Sequence, residues 1–290
     1  MKLYKPKFWN FKNNLITIFL LPISYIVNSF NYFKKKLNYI NTFRIPIICV
    51  GNIYVGGTGK TPISVLLARE LTKNGKKPAI IRKFYKNHYD EYNLITKYFK
   101  NLITNKDRVS AINNAIQIGC DSVILDDGFQ DHKIKKDLNI LCFNLKQKIG
   151  NGYVLPAGPL RENLNSLINA HIIILNGQRD KIFEKYILKY NKKLSIFYSK
   201  YIPEKIYQIK KKKIYAFAGI GNPQNFFDML EDNNVIIIKK KIFPDHYQFT
   251  KKEILEIIKD AKRKKLKIVT TEKDYNRIKQ FNFKEIMHVK

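Results

Sequence analysis

The sequence predicts an α/β protein with a larger parallel-sheet domain, a second and smaller α/β domain behind it, and an apolar helical segment in front. Three observations carry that expectation. Short apolar runs bounded by turn residues alternate with helix-compatible stretches along most of the chain, the pattern of a parallel sheet covered by helices on both faces. One such run, RIPIICVGN (44–52), passes into the glycine-rich loop GNIYVGGTGKTP (51–62) and then into a stretch of helical periodicity. The most apolar segment, LITIFLLPISYIVNSFNYF (15–33), precedes both and is flanked by lysines.

Composition bounds the function before any motif is read. At 290 residues, 45% hydrophobic and 13% aromatic, the chain is ordered and large enough for two cores. Fifty-four Lys and Arg face twenty-three Asp and Glu, a formal charge of +31. That field favours nucleic acid, anionic lipid headgroups or phosphorylated substrates, and composition alone does not separate them. Cys49, Cys120 and Cys142 are odd in number and sit in or beside apolar runs. They read as buried, reduced thiols, with no metal-ligand spacing.

The amino-terminal segment, residues 1–36, is expected to associate with a membrane. Its uninterrupted apolar part, Leu15 to Val27, carries Pro22 at its middle and yields to Asn28. That is short of the ~20 residues of a simple spanning helix. Lysines on both flanks suit an anchor lying in the headgroup and acyl boundary of an anionic bilayer. The alternative is a buried helical hairpin of the first domain.

Behind it, residues 37–149 read as a nucleotide-binding domain. In TPISVLLARELTKNG (61–75), Val65, Leu66, Ala68 and Leu71 recur at helical spacing and Gly75 supplies the stop. Further strands are expected at 78–82, 122–127, 138–144, 171–175, 213–219, 234–240 and 266–274. The turn-rich GNGYVLPAGPLRE (150–162) reads as a hinge along a cleft, opening a second domain over 150–290.

The glycine-rich loop departs from the phosphate-loop pattern at one place, because Tyr54 stands where the first glycine is usual. Its second half is intact. Gly56, Gly57, Thr58 and Gly59 let backbone N–H groups face an anion, and the following helix N-terminus adds its dipole. Lys60 can reach the terminal phosphates and Thr61 can place a hydroxyl on Mg²⁺. In VILDDGFQDH (123–132) an apolar strand ends in Asp126 and Asp127, which suits either a carboxylate facing that magnesium or a turn cap.

These pieces together resemble the tetraacyldisaccharide 4′-kinases, or lipid A 4′-kinases. The likeness is carried by VGNIYVGGTGKTP (50–62), DDGFQDH (126–132), GNGYVLPAGPLRE (150–162), FAGIGNPQNFF (217–227), IFPDHYQF (242–249) and TTEKD (270–274), in family order. The family also has a non-glycine residue at the place of Tyr54. The resemblance implies transfer of the γ-phosphate of ATP, with Mg²⁺, to the 4′-hydroxyl of a lipid A disaccharide precursor at the cytoplasmic face of a bacterial inner membrane. It implies an aspartate–histidine dyad that activates the sugar hydroxyl, matched by Asp90 and His246. It implies that Arg161 steadies the transferring phosphoryl group, that Arg108 aligns with a second active-site arginine, and that Gln130 joins Asp126 and Asp127 near the metal. Anionic lipid is the expected partner and nucleic acid is not. Two departures bear on the loop holding Asp90: Arg82-Lys83-Phe84-Tyr85 stands for Arg-Gly-Tyr-Gly, and Tyr89 replaces a glycine. The rival reading is a nucleic-acid-stimulated phosphate-loop NTPase.

Overall fold

A computed structural model describes residues 6–37, 39–86, 89–204, 206–245 and 247–289, without the side chains of Lys34, Lys36 and Asp90. The chain forms two compact units. The larger comprises Lys5–Tyr85 and Ile95–Lys200, the smaller Lys86–Leu94 and Tyr201–Lys290.

Among the described residues the larger unit holds seven strands: β1 (Ile47–Gly51), β2 (Pro78–Lys83), β3 (Leu102–Asn105), β4 (Ser122–Asp126), β5 (Leu138–Asn144), β6 (Ile172–Asn176) and β7 (Ser195–Ser199). They run parallel in the order β3-β2-β4-β1-β5-β6-β7. Alternate residues serve opposite faces, as the period of two requires. Cys49, Ile81, Leu125, Leu141 and Ile173 enter one core, and Val50, Ile80, Ile124 and Cys142 enter the other. With both faces buried the strands read as continuous apolar runs, which is why the sequence shows the central ones plainly. The helices of this unit are α1 (Leu15–Leu37), α2 (Lys60–Lys73), α4 (Arg108–Gln117) and α5 (Lys181–Leu188), while α3 (Tyr89–Tyr98) begins in the smaller unit and returns the chain to the larger.

The smaller unit repeats the plan with β8 (Lys213–Ala218), β9 (Ile236–Ile242), β10 (Lys267–Thr271) and β11 (Ile286–Val289), parallel in the order β11-β10-β8-β9. Its helices are α6 (Pro223–Asp232), α7 (Lys251–Arg263) and α8 (Glu272–Ile278). Tyr215, Phe217 and Ile268 face one core, and Ile214, Ala216, Ala218 and Val269 the other.

Two expectations are corrected. The second domain does not begin at 150, because β6 and β7 extend the first sheet and the larger unit runs to Lys200. An apolar run such as HIIIL looks alike whichever sheet it joins, so periodicity could not place it. Nor is GNGYVLPAGPLRE a hinge between domains. Val154, Ala157 and Leu160 are buried in the larger unit, and the segment docks α1. There the Ser24 hydroxyl donates to the Val154 carbonyl and accepts from the Ala157 N–H, both at 2.9 Å.

That docking orients α1 in a way composition could not show. The helix is single rather than a hairpin and runs through Pro22, giving up the bond that proline's missing N–H would have made. Its buried positions are polar: Thr17 is 0% and Ser24 5% exposed. Most of its large apolar side chains point away, with Phe19 79%, Ile26 70% and Phe30 67% exposed, while Leu20, Leu21 and Val27 are half-buried. Among the described residues it is the one helix long and apolar enough to cross a bilayer.

Candidate active site

Three neighbouring strand ends build the site. In the register of β2, β4 and β1, Arg82 lies opposite Asp126, and Asp126 opposite Val50. The glycine-rich loop leaves β1 at that same edge and α2 starts at Lys60. Crossing from strand to helix demands backbone that L side chains rarely adopt, so Gly56 (φ 113°) and Gly59 (φ 94°) sit where only glycine is relaxed.

Tyr54 explains the altered start of the loop. It is 1% exposed, part of the core, and forms an isolated bridge with Leu160. Val55 N–H donates to the Pro159 carbonyl (2.9 Å) and Arg161 N–H to that of Ile53 (2.7 Å). The chain therefore leaves β1 along the PAGPLRE segment, and the pairing delivers Arg161 beside the loop. Buried Asn52 closes the turn by donating its amide to the Tyr54 carbonyl (2.6 Å) and the Thr58 hydroxyl (3.0 Å).

The charged side chains then converge. Thr61 Oγ1 donates to Asp126 Oδ2 at 3.1 Å, and Ser64 Oγ to Asp126 Oδ1 at 2.9 Å. The Arg82 guanidinium pairs with the same buried carboxylate. Asp127, left-handed at φ 60°, receives Arg161 Nη1 at 2.7 Å and has Lys60 Nζ at 3.7 Å. Arg108 donates to the Asp127 carbonyl (2.8 Å) and to Asp131 (3.1 Å). Gln130 accepts from Arg161 (3.3 Å) and donates to the Asn52 carbonyl (2.9 Å), tying arginine to loop. Lys60, Thr61, Arg108, Asp126, Asp127, Gln130 and Arg161 thus meet within one unit.

Electrostatics follow from burial. Desolvation pulls the Lys60 ammonium below its usual range, opposed by Asp127. Burial would raise the Asp127 carboxyl, but the charges of Lys60 and Arg161 overcome it and hold the group well below the usual carboxylate range. A desolvated ammonium beside backbone N–H groups at a helix N-terminus is a receptor for anionic oxygen. Burial, with Lys136 and Lys35, depresses His132 to about 4, so the imidazole facing Glu162 at 3.6 Å is neutral at physiological pH.

No group of three or more His, Cys, Asp or Glu suited to a metal occurs among the described residues. Mg²⁺ needs none, because it takes one or two protein oxygens and completes its shell with water and phosphate. The Thr61 hydroxyl and the Asp126 carboxylate, adjoining at the loop, are hard oxygen donors of that kind.

Asp90 lies in α3 by its backbone, while its side chain and the whole of His246 fall outside the described residues. Both segments belong to the smaller unit. Asn52, Ser64 and Arg82 also line this cluster, beyond the residues that the phosphate-loop pattern and the paired aspartates mark. Arg82 had a signal: a charge closing an otherwise apolar strand is costly unless it meets an acid.

A glycine-rich loop after a central parallel strand, a lysine and threonine opening the next helix, and an acid ending the neighbouring strand define a phosphate-loop phosphotransferase-type protein. The family model described as "LpxK: Tetraacyldisaccharide-1-P 4′-kinase" matches residues 16–101 and 89–290. A tetraacyldisaccharide 4′-kinase of Pelagibacter ubique is 43% identical over 294 residues, covering 100% of this chain and 93% of its own. One from Rickettsia peacockii is 34% identical, covering 97% and 92%. The crystal structure of an "apo" form LpxK from Aquifex aeolicus in complex with ATP superposes with a TM-score of 0.67 at 25% identity, over 95% of this chain and 94% of that one. The chain belongs to the tetraacyldisaccharide 4′-kinase family.

Proposed function

We propose that this chain transfers the γ-phosphate of ATP to the 4′-hydroxyl of a tetraacyldisaccharide 1-phosphate in lipid A biosynthesis. The observation that carries the reading is the meeting of Lys60, Thr61, Asp126, Asp127 and Arg161 around the glycine-rich loop, in a chain of this family. The loop N–H groups and Lys60 bind the triphosphate, and Arg161 offers positive charge to the transferring group. Mg²⁺, when bound, supplies charge neutralisation at the phosphate oxygens, held through Thr61 and Asp126 with Asp127 and Gln130 beside them. Asp90 orients the His246 imidazole, which takes the proton of the sugar hydroxyl.

The outer face of α1 supports association with a membrane, which in this reading is the inner membrane at its cytoplasmic side. A helix turning polar residues inward and phenylalanine and isoleucine outward gains free energy only if lipid or another apolar surface covers that face. The charge of +31 favours anionic headgroups. Substituting Phe19, Ile23 and Ile26 by Asn is expected to abolish flotation with phosphatidylglycerol vesicles; undiminished flotation would place the membrane contact elsewhere.

Family membership and this apolar helix speak against the nucleic-acid-stimulated alternative. The deciding experiment is mass spectrometry of the disaccharide lipid after incubation with ATP and magnesium. A product heavier by one phosphate on the distal sugar is expected, and unchanged lipid with continuing ATP hydrolysis would sink the assignment.

A further inference from the structure

In the smaller unit, the TTEKD stretch (270–274) divides its side chains between two tasks. Thr270 Oγ1 donates to the Phe217 carbonyl (2.8 Å), and Thr271 caps α8 by accepting the Asp274 N–H (3.1 Å). Asp274 accepts the Gly219 N–H (3.0 Å), and Arg277 donates to the Gly219 carbonyl (2.7 Å). These bonds fix the ends of β8 and β10. Lys273 reaches elsewhere: its ammonium lies 2.7 Å from Glu91 Oε1, across 182 positions of sequence, and 3.8 Å from Asp245 Oδ1. Lys273 and Glu91 are largely shielded, with side chains 17% and 15% exposed.

The partners are placed with a consequence. Glu91 adjoins Asp90, and Asp245 adjoins His246. Residues 86–94 leave the larger unit and return to it, so their hold on the smaller unit depends on contacts such as this one. The loop bearing Asp245 is itself anchored by Phe243 and Phe249, packed edge to face on Phe217. The short, shielded, charge-assisted bond to Glu91 fixes that segment on α8, and the longer ion pair to Asp245 adds attraction from the same ammonium to the second segment.

We propose that Lys273 is a positioning residue for phosphoryl transfer, latching the segment that carries Asp90 to the loop that carries His246. The inference rests on the reading of those two residues as the proton-accepting dyad. A carboxylate that orients an imidazole must be held to a fraction of an ångström, and a displacement near 1 Å costs on the order of 100-fold in rate. One ammonium, hydrogen-bonded to Glu91 beside Asp90 and within ion-pair distance of Asp245 beside His246, couples the two segments, and both members come from a single unit.

The test compares Lys273→Gln, Lys273→Arg, Asp90→Asn and the pair Lys273→Gln/Asp90→Asn. Lys273→Gln is expected to lower kcat by about 10–100-fold, with the KM for ATP unchanged, because nucleotide is bound by the other unit. Amide exchange at 89–94 should quicken, while thermal unfolding stays that of a folded protein. Lys273→Arg should restore most of kcat, since a guanidinium can bridge two carboxylates. Adding Lys273→Gln to Asp90→Asn should cost less than about threefold more, because the lysine acts through the aspartate. The proposal is overturned if exchange quickens while kcat holds, if exchange at 89–94 is unaltered, or if the losses multiply. Full kcat in Asp90→Asn alone would instead overturn the dyad, an outcome visible in its own arm.

Discussion

Asp126 and Asp274 stand at the C-terminal edges of the two parallel sheets, both fully buried and each with a buried arginine, yet they are partnered differently. Asp274 is spent on the fold: its bonds go to the Gly219 N–H, the Thr271 hydroxyl and Arg277, one helical turn away. Burial pushes that carboxyl upward despite the arginine. Asp126 bonds Thr61 and Ser64 of the loop and its helix, beside a lysine that burial also strains. Burial and an ion pair therefore do not distinguish Asp126, the acid proposed to face the metal, from Asp274, an acid that holds the fold. What distinguishes them is whether the neighbours still have a charge or a donor to offer a ligand.

Three measurements test this contrast between the two acids. The largest effect is expected from Lys60→Ala, which should lower phosphate transfer by about 10³-fold or more. It should lower the unfolding midpoint only modestly, because Asp127 keeps its 2.7 Å bond to Arg161 when the lysine is lost. A midpoint falling steeply with activity retained would make Lys60 a structural residue like Arg277.

Asp274→Ala should behave in the opposite sense. Leaving Arg277 buried without its carboxylate costs about 3–5 kcal/mol of stability, readable as a lower denaturant midpoint at unchanged slope. A loss below about 1 kcal/mol would mean that water or the backbone replaces the acid, and the contrast would collapse.

The smallest effect concerns pH. Asp127 is depressed in the fold by Lys60 and Arg161, so its pairing stabilises fully above the ordinary carboxylate pKa of about 4 and is lost as pH falls towards the lower folded value. Stability of the natural chain should therefore fall below about pH 4 more than that of Asp127→Asn. Parallel curves would show that the pair adds nothing to folding.

The sequence carried more of the nucleotide site than of the architecture around it. Loop, lysine, threonine and paired aspartates are contiguous, so spacing alone announces them. Arg161 was reached through the family resemblance, and the structure supplies its reason: backbone pairing of 159–161 with 53–55 carries it to the loop. The strands that escaped notice, β3, β7 and β11, are all edge strands. Half-exposed runs such as LITN and SIFYS lack the apolar continuity of a strand buried on both faces.

What the sequence determined by itself was chemistry written in neighbouring residues: a buried parallel sheet, an anion-binding loop and a greasy amino-terminal helix. Tertiary structure decided what depends on distant partners. It joined residues 150–200 to the first sheet, turned Thr17 and Ser24 of α1 inward, and set Lys273 against Glu91. The physical reason is that periodicity records how buried a residue is, whereas pairing between remote segments is fixed only when strands choose their neighbours and the backbone's donors and acceptors must all be met.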